Sequence, residues 1–250
     1  MTTILITGAT GFLGEYVIRR LLKTRSEIRA FVRPTSDIDW LSKQDVCLFS
    51  GDLSQDHAIQ SALQGVDLFI NVTSLGFGHA PNIVNSLIKS GVRRAVFVSS
   101  TSIFSKLSTR SKATRIQAEL VIAESGLDYT IVRPTMIYGS PRDRNIWRLV
   151  NFINKWPIVP IIGRGDALQQ PVYADDVAQA IISAAHRDLS IGQSYDIAGA
   201  EAISFLDIID LVSAALGRST KKVHIPYVMA KYASLLLGGI GLGITFEQVL

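Results

Sequence analysis

The clearest chemical signal in this 250-residue chain is carried by three glycines near its start. In Thr7-Gly8-Ala9-Thr10-Gly11-Phe12-Leu13-Gly14 they follow an apolar β run directly and precede a helical pattern directly. In such a strand–loop–helix each glycine has its own task. Gly8 allows a tight turn, Gly11 lets the backbone approach a pyrophosphate without a Cβ in the way, and Gly14 lets the helix pack close to the strand. The free N–H groups and the dipole of the helix then face the phosphates. The chemistry this predicts is dinucleotide binding, with Gly8, Thr10, Gly11, Phe12, Leu13 and Gly14 as the cradle.

Charge chooses between dinucleotides. A site for NAD needs a carboxylate after the second strand, about 20 residues past the glycines, to accept the ribose hydroxyls. Here Ile28-Arg29-Ala30-Phe31-Val32 runs into Arg33-Pro34-Thr35-Ser36, with no acid until Asp37. An arginine in that place can pair with a 2′-phosphate and stack on adenine. The expected cofactor is therefore NADP(H), held by Arg33, with NAD(H) as the alternative.

The elements that must position these residues read as alternating strands and helices. Strands are predicted over 3–7, 28–32, 46–50, 67–72, 94–99 and 128–133, and helices over 15–22, 58–63, 83–88 and 116–124. In the first helix Val17, Ile18, Leu21 and Leu22 share a face. That alternation predicts an α/β fold, a Rossmann doubly wound parallel sheet covered on both faces. The second half is punctuated by Pro134, Pro141, Pro157, Pro160 and Pro171. Helices are expected there over 176–185, where Asp175 and Asp176 read as a cap, and over 205–216. The latter opens on a Ser204/Asp207 capping box and stops at Gly217. The expected organisation is a dinucleotide-binding domain over 1–135. A smaller mixed C-terminal lobe over 136–250, interleaved with the first domain, would be laid over the carboxyl edge of the sheet and carry substrate or partner contacts.

Composition narrows the partners. Apolar residues at 48% and charged residues at 18% exclude wholesale disorder. Lys+Arg 25 against Asp+Glu 21 leaves +4, with no basic run of the kind that marks a nucleic-acid partner. The single cysteine, Cys47, cannot form an internal disulfide, which favours a reducing, cytoplasmic setting, and it reads as a small buried hydrophobe. The N-terminus has no basic region of the kind an export signal carries. The most apolar stretch, 232–246, falls short of the roughly 20 residues a spanning helix needs, and glycines interrupt it. No transmembrane segment is expected. A core or interface helix is, with residues 228–246 as a surface for a protein partner or a membrane face. No His/Cys/Asp cluster has metal-ligand spacing, and no nucleophile sits in a hydrolase elbow.

The TGATGFLG loop, together with Gly51-Asp52-Leu53 after the third strand, resembles the short-chain dehydrogenase/reductase superfamily. The segments Arg133-Pro134-Thr135-Met136-Ile137-Tyr138-Gly139 and Gln170-Pro171-Val172-Tyr173-Ala174-Asp175-Asp176-Val177 resemble its extended and atypical branches. Those include nucleotide-sugar epimerases, NmrA-like proteins and relatives of a complex I accessory subunit. The closing Ile225-Pro226 and 244–250 resemble the tail of the complex I-related group, so the likeness runs nearly end to end. It implies that Asp52 and Leu53 lie beside the adenine and that Val72 and Thr73 run along the ribose and pyrophosphate. Pro134, Thr135, Met136 and Ile137 would cover the nicotinamide.

The same resemblance exposes a departure. The superfamily's chemistry uses a serine on one strand, then a tyrosine and, four residues on, a lysine that lowers the phenol's pKa. Ser100 stands at the serine position, and Phe104 where the family often has tyrosine. Between Ser108 and Glu119 there is no tyrosine at all. One register pairs Ser108 with Lys112, the other Ser111 with Arg115. Either way a serine replaces the phenol and cannot act as its acid, and an arginine can hold a ribose but cannot be deprotonated. Tyr138 and His79 are the candidates for a substitute acid. Arg142, Arg144 and Arg148 read as a solvated face, or as a grip on an anion in a cleft between the lobes.

Three functions are consistent with this. The favoured one is an NADP(H)-dependent oxidoreductase acting on a small organic substrate with a non-standard proton donor, because the cofactor loops are intact. The second is a non-catalytic NADP(H)-binding sensor or an accessory or assembly protein. The third, a nucleotide-sugar epimerase or dehydratase, ranks last because it needs tightly held NAD and the tyrosine as base.

Overall fold

The structure is a computed structural model that describes residues 1–55, 58–106 and 108–226. The apolar stretch at 232–246, the partner surface expected at 228–246 and the family-like tail at 244–250 lie outside the described residues. In chain order the helices and strands are β1 (Thr3–Thr7), α1 (Phe12–Leu21), β2 (Glu27–Val32), β3 (Cys47–Ser50), β4 (Leu68–Asn71), α2 (Ala80–Lys89), β5 (Arg94–Val98), α3 (Arg110–Ala123) and β6 (Asp128–Pro134). They continue as β7 (Ile137–Tyr138), α4 (Ile146–Lys155), β8 (Ile158–Ile162), β9 (Leu168–Gln169), β10 (Val172–Tyr173) and α5 (Ala174–Ala185). The last are β11 (Gln193–Ile197), β12 (Ile203–Ser204), α6 (Phe205–Ala215) and β13 (Lys221–Ile225). Among the described residues no helix is long and apolar enough to cross a membrane.

Two compact units result. The first takes Met1–Gly139 and then Val172–Ala198; the second takes Ser140–Pro171 and the chain from Gly199 on. The chain leaves the first unit after Gly139 and re-enters it at Val172. It returns to the first unit because β11 pairs with β6 at the sheet's edge and α5 packs beside α1.

The first unit holds a seven-stranded sheet in the order β11-β6-β5-β4-β1-β2-β3, every pair of it parallel. Both faces are covered, so the inner strands alternate between two cores. From β1, Ile4 and Ile6 enter one core while Leu5 enters the other, and in β5 Val96 and Val98 oppose Ala95 and Phe97. The first core is closed by Val17, Ile18 and Leu21 of α1 with Val177 and Ile181 of α5. The second is closed by Ile83, Val84 and Leu87 of α2 with Ala118 and Ile122 of α3. This is the doubly wound Rossmann arrangement expected from the sequence.

Three local expectations fail for identifiable reasons. The helix predicted over 58–63 is a run of turns. Ile59, Ala62 and Leu63 are buried as helical spacing requires, but the segment is too short to repay helix nucleation and Gly65, at φ +68°, ends it. Asp175 and Asp176 do not cap α5: they lie inside its first turn, where Asp175 accepts from Arg20 Nε and Nη2, both at 2.7 Å. Cys47 is exposed rather than buried, because β3 is the outermost strand and pairs only with β2.

The second unit contains α4 and α6 packed together, a parallel β8–β13 pair and an antiparallel β9–β12 pair. Its core draws on Ile153, Val159, Ile161, Ile208 and Ile209. The predicted capping box is present: Ser204 Oγ accepts from Asp207 N while Asp207 Oδ2 accepts from Ser204 N. Gly217, at φ +63°, follows the helix end.

One side chain knits the first unit across three elements. Arg94, at the start of β5, donates to the Ala184 and Ala185 carbonyls in the last turn of α5. It also donates to Thr130 Oγ1 in β6 at 2.9 Å and to Ser190 Oγ at 2.8 Å. A cation there satisfies orphan carbonyls and complements the helix dipole. Arg94→Met keeps the aliphatic stem but removes every donor, and should cost about 2 kcal/mol in urea unfolding with the far-ultraviolet dichroism of the folded state unchanged.

Candidate functional site

The strand order reverses between β1 and β4, the switch point at which open parallel sheets bind ligands. A buried polar relay fixes the backbone there. Thr7 Oγ1 donates to Asn71 Oδ1 at 2.7 Å, and Asn71 Nδ2 donates to the Thr73 carbonyl at 2.8 Å. Val72 N donates to the Thr7 carbonyl at 3.0 Å. Val72 and Thr73 are thereby pressed against Gly8, which sits at φ +76°. A Cβ on Gly8 would lie 2.7 Å from Thr73 N and 2.9 Å from the Val72 carbonyl carbon. One on Gly14 would lie 2.0 Å from the Gly8 oxygen. Gly11 is the N-cap of α1 and no side chain caps that helix. Glycine is thus required by sterics at Gly8 and Gly14, and an uncapped helix N-terminus opens beside them. That is a cradle suited to a pyrophosphate.

Asp52 lies within reach of the charges of His79 and Arg33. Asp52 Oδ1 accepts from Ser54 N at 2.8 Å. That bond and the Ser54 hydroxyl hold the carboxyl below its usual value, with smaller help from the charges of His79 and Arg33. Asn82 of α2 pins the same loop by donating to the Ser54 carbonyl at 3.1 Å and to the Leu53 carbonyl at 3.4 Å. Arg33 is exposed, and a turn closed by Ser36 N on the Arg33 carbonyl follows it. His79 is the N-cap residue of α2, its ring 6.3 Å from that of Phe77.

The loop after β6 is pinned elsewhere. Pro134 is buried, Thr135 N donates to the Ile197 carbonyl, and Met136 accepts from Val172 N as Ile137 pairs with Val172. Tyr16 of α1 donates its hydroxyl to the Gly139 carbonyl at 2.8 Å. Its ring meets Phe12 at 5.7 Å and Tyr173 at 5.9 Å, and Tyr173 meets Tyr138 at 5.8 Å. Tyr138 is one of a row of packed rings. Burial, with the Tyr173 hydroxyl close by, pushes the Tyr16 phenol up to about 12.

Helix α3 places the two candidate pairs differently. Its N-cap is Thr109, whose Oγ1 accepts from Lys112 N, so Ser108 lies outside the helix. Lys112 turns back to donate to the Ser105 carbonyl. Ser111 and Arg115 are both helical, one turn apart, and both face Gly76 of the turn after β4. Arg115 Nη1 donates to Ser102 Oγ at 3.2 Å and Nη2 to Ser74 Oγ at 3.4 Å. Ser100 accepts from Ser102 N and so caps the turn after β5. The neighbouring Ser99 hydroxyl is buried with no hydrogen-bond partner among the described residues. Glu119, one turn further along α3, is held by Arg133 at 2.6 Å. Arg142, Arg144 and Arg148 belong to the second unit.

Residues 8–188 match the model of a family described as NAD(P)H-binding. This chain belongs to that family. It is 32% identical over 215 residues to quinone oxidoreductase 2 of Escherichia coli, covering 78% of this chain and 68% of that protein. It is 26% identical over 251 residues to the mitochondrial NADH dehydrogenase [ubiquinone] 1 alpha subcomplex subunit 9 of Arabidopsis thaliana, covering 90% of this chain but only 61% of the relative. A nucleoside-diphosphate-sugar epimerase from Pseudomonas aeruginosa superposes with a TM-score of 0.80 at 17% identity, over 94% of this chain and 84% of that one. At that identity the likeness speaks for the fold. NAD(P)H-binding membership agrees with the steric demand for glycine at positions 8 and 14.

Asn71, Tyr16, Ser74 and Ser102 were not singled out by the sequence. Asn71 alone left a trace, as a polar residue in the apolar run Leu68-Phe69-Ile70-Asn71-Val72. Asn71→Ala should lower stability by about 1–3 kcal/mol, because Thr7 and Thr73 lose buried partners, and should weaken NADPH binding in a fluorescence titration. Tyr16 gives a pH signature. A folded pKa near 12 against an ordinary 10.0 means stability that is complete below pH 10 and lost as pH rises toward 12. Tyr16→Phe should shallow that alkaline loss in chemical denaturation followed from pH 9 to 12.

Proposed function

We propose that this protein is an NAD(P)H-dependent reductase of a quinone or a comparably conjugated carbonyl compound, with NADPH preferred. The observation that carries the reading is an intact dinucleotide cradle combined with Ser111 and Arg115 on α3 in place of a phenol and its lysine. When bound, the nicotinamide supplies a hydride. A simple ketone that accepts one becomes an alkoxide, strongly basic, and needs a positioned acid. A quinone becomes a phenolate-type anion whose conjugate acid has a pKa of about 10, so water can protonate it and no side-chain phenol is needed. The E. coli relative bears the name of that chemistry.

In this reading Gly8, Gly11 and Gly14 with the start of α1 hold the pyrophosphate. Asp52 and Leu53 receive the adenine, Val72 and Thr73 border the ribose, and Pro134 to Ile137 cover the nicotinamide. Arg33 answers the 2′-phosphate. His79, whose charge reaches Asp52, serves the adenosine side rather than proton donation. Tyr138 packs, and Ser100 offers its hydroxyl to the acceptor oxygen. A cytoplasmic location accords with the chain's single cysteine. The likeness to the Arabidopsis subunit favours a second reading, an NADPH-binding accessory protein without turnover.

Calorimetric titration with NADPH and NADH tests the cofactor choice. NADPH should bind at least tenfold tighter, about 1.4 kcal/mol, and Arg33→Ala should erase the difference. Steady-state oxidation of NADPH with a panel of benzoquinones and naphthoquinones tests the reaction. Tight NADPH binding with no turnover on any of them would sink the reductase and leave the accessory protein.

A further inference from the structure

Among the described residues Arg115 has no acidic partner within salt-bridge distance. Its guanidinium is half-buried, and the loss of water is what pushes its pKa down, with no acid opposing that shift. Its partners are two neutral hydroxyls, Ser102 and Ser74. Arg133 and Arg20 of the first unit, by contrast, are matched to acids: Arg133 by Glu119 at 2.6 Å and Asp196 at 3.6 Å, and Arg20 by Asp175 at 2.7 Å. Holding a charge partly out of water against neutral oxygens is costly, and the structure supplies no anion among the described residues to offset it.

The location indicates which anion this guanidinium suits. Ser74 opens the turn after β4 and Ser102 lies in the turn after β5, both past the carboxyl ends of their strands. Gly76 lies against the guanidinium, and a Cβ there would sit 3.4 Å from Arg115 Cζ. Each of these turns also carries an exposed ring, Phe77 at 69% and Phe104 at 62% accessibility. Two flat apolar side chains thus belong to the turns that grip the cation.

We propose that Arg115, held between Ser74 and Ser102, is the seat for the ring-bound oxygen anion of a flat aromatic ligand, with Phe77 and Phe104 as its apolar flanks. The origin of that anion rests on the reductase reading; the anion seat itself does not. A bound NAD(P)H would supply a hydride, two electrons and one hydrogen, and be left as NAD(P)+; a quinone that accepts it would become the hydroquinone monoanion, which water then protonates. Arg115 stays charged throughout, so its part is electrostatic stabilisation and not proton transfer.

The test is binding of 4-nitrophenol to the protein saturated with NADP+, read from the phenolate absorbance across pH. The wild-type protein should bind the phenolate at least tenfold tighter than the phenol, about 1.4 kcal/mol. Arg115→Gln should abolish that preference while NADP+ affinity stays within about threefold, and Arg115→Lys should restore most of it. If Arg115→Gln does not fold, Ser102→Ala serves instead and should loosen phenolate binding about threefold with the charge intact. Where quinones are turned over, Arg115→Gln should lower kcat about a hundredfold. Unchanged phenolate binding in Arg115→Gln, no phenolate binding by the wild type, or a tenfold loss of NADP+ affinity would each overturn the proposal. Arg115-dependent phenolate binding without quinone turnover would keep the anion seat and remove the reductase.

Discussion

The narrowest place in the first unit is where the Gly8 turn meets Val72 and Thr73. With 2.7 Å from a would-be Cβ to Thr73 N, no side chain fits between the two loops. The strand order explains why they meet. After β1 the chain goes to β2 on one side, while β4 lies on the other, so the loops leaving β1 and β4 border one crevice. Thr7 and Asn71, both fully buried, join the strands through side chains exactly where the backbone ladder stops. The phosphate cradle is therefore shaped by a close approach between backbones and a single amide. Gly14 extends the same constraint to α1, which could not otherwise lie against the Gly8 oxygen.

How much of this could be read in advance depended on range. A parallel strand buried on both faces is a continuous apolar run, and β1, β2, β4, β5 and β6 were each legible within about one or two residues at the ends. The glycine loop was legible because its demands are steric and local. The helix over 58–63 was misread because Ile59, Ala62 and Leu63 carry helical spacing for burial alone, in a segment that never completes a second turn. In the second unit the prolines concealed β8. Pro160 is tolerated there because β8 pairs with β13 on one side only, and Pro160 alternates outward between the buried Val159 and Ile161. Asp175 was misread because its partner, Arg20, lies 155 positions earlier in the chain, a distance over which no local pattern speaks.

The site followed the same division. Residues whose role is backbone geometry, Gly8, Gly11 and Gly14, were named from spacing. Residues whose role is contact were not: Asn71 works through Thr7 and Thr73, and Ser74 and Ser102 matter only because Arg115 reaches both. The register of α3 was ambiguous in sequence since Ser108-Lys112 and Ser111-Arg115 have identical spacing. A cap sets the two pairs apart in space. Once Thr109 starts the helix, Ser108 stands before it and Lys112 bends back to Ser105, leaving Ser111 and Arg115 toward the turn after β4.

Replacing a phenol by a serine and leaving a guanidinium nearby does more than weaken an enzyme of the ordinary type. A phenol can donate and recover a proton, so it serves substrates whose reduced form is too basic to persist. A guanidinium cannot release its proton under any condition the protein experiences, and it favours products that carry a persistent negative charge. The two arrangements therefore select different acceptors by the basicity of what is formed. In the proposed reductase, a site with the cation and without the acid would discriminate against simple ketones and in favour of acceptors that spread the new charge over a conjugated ring. Specificity at this site would then rest on the stability of the product anion, a property set by Arg115 and its two hydroxyls, more than on the outline of the substrate.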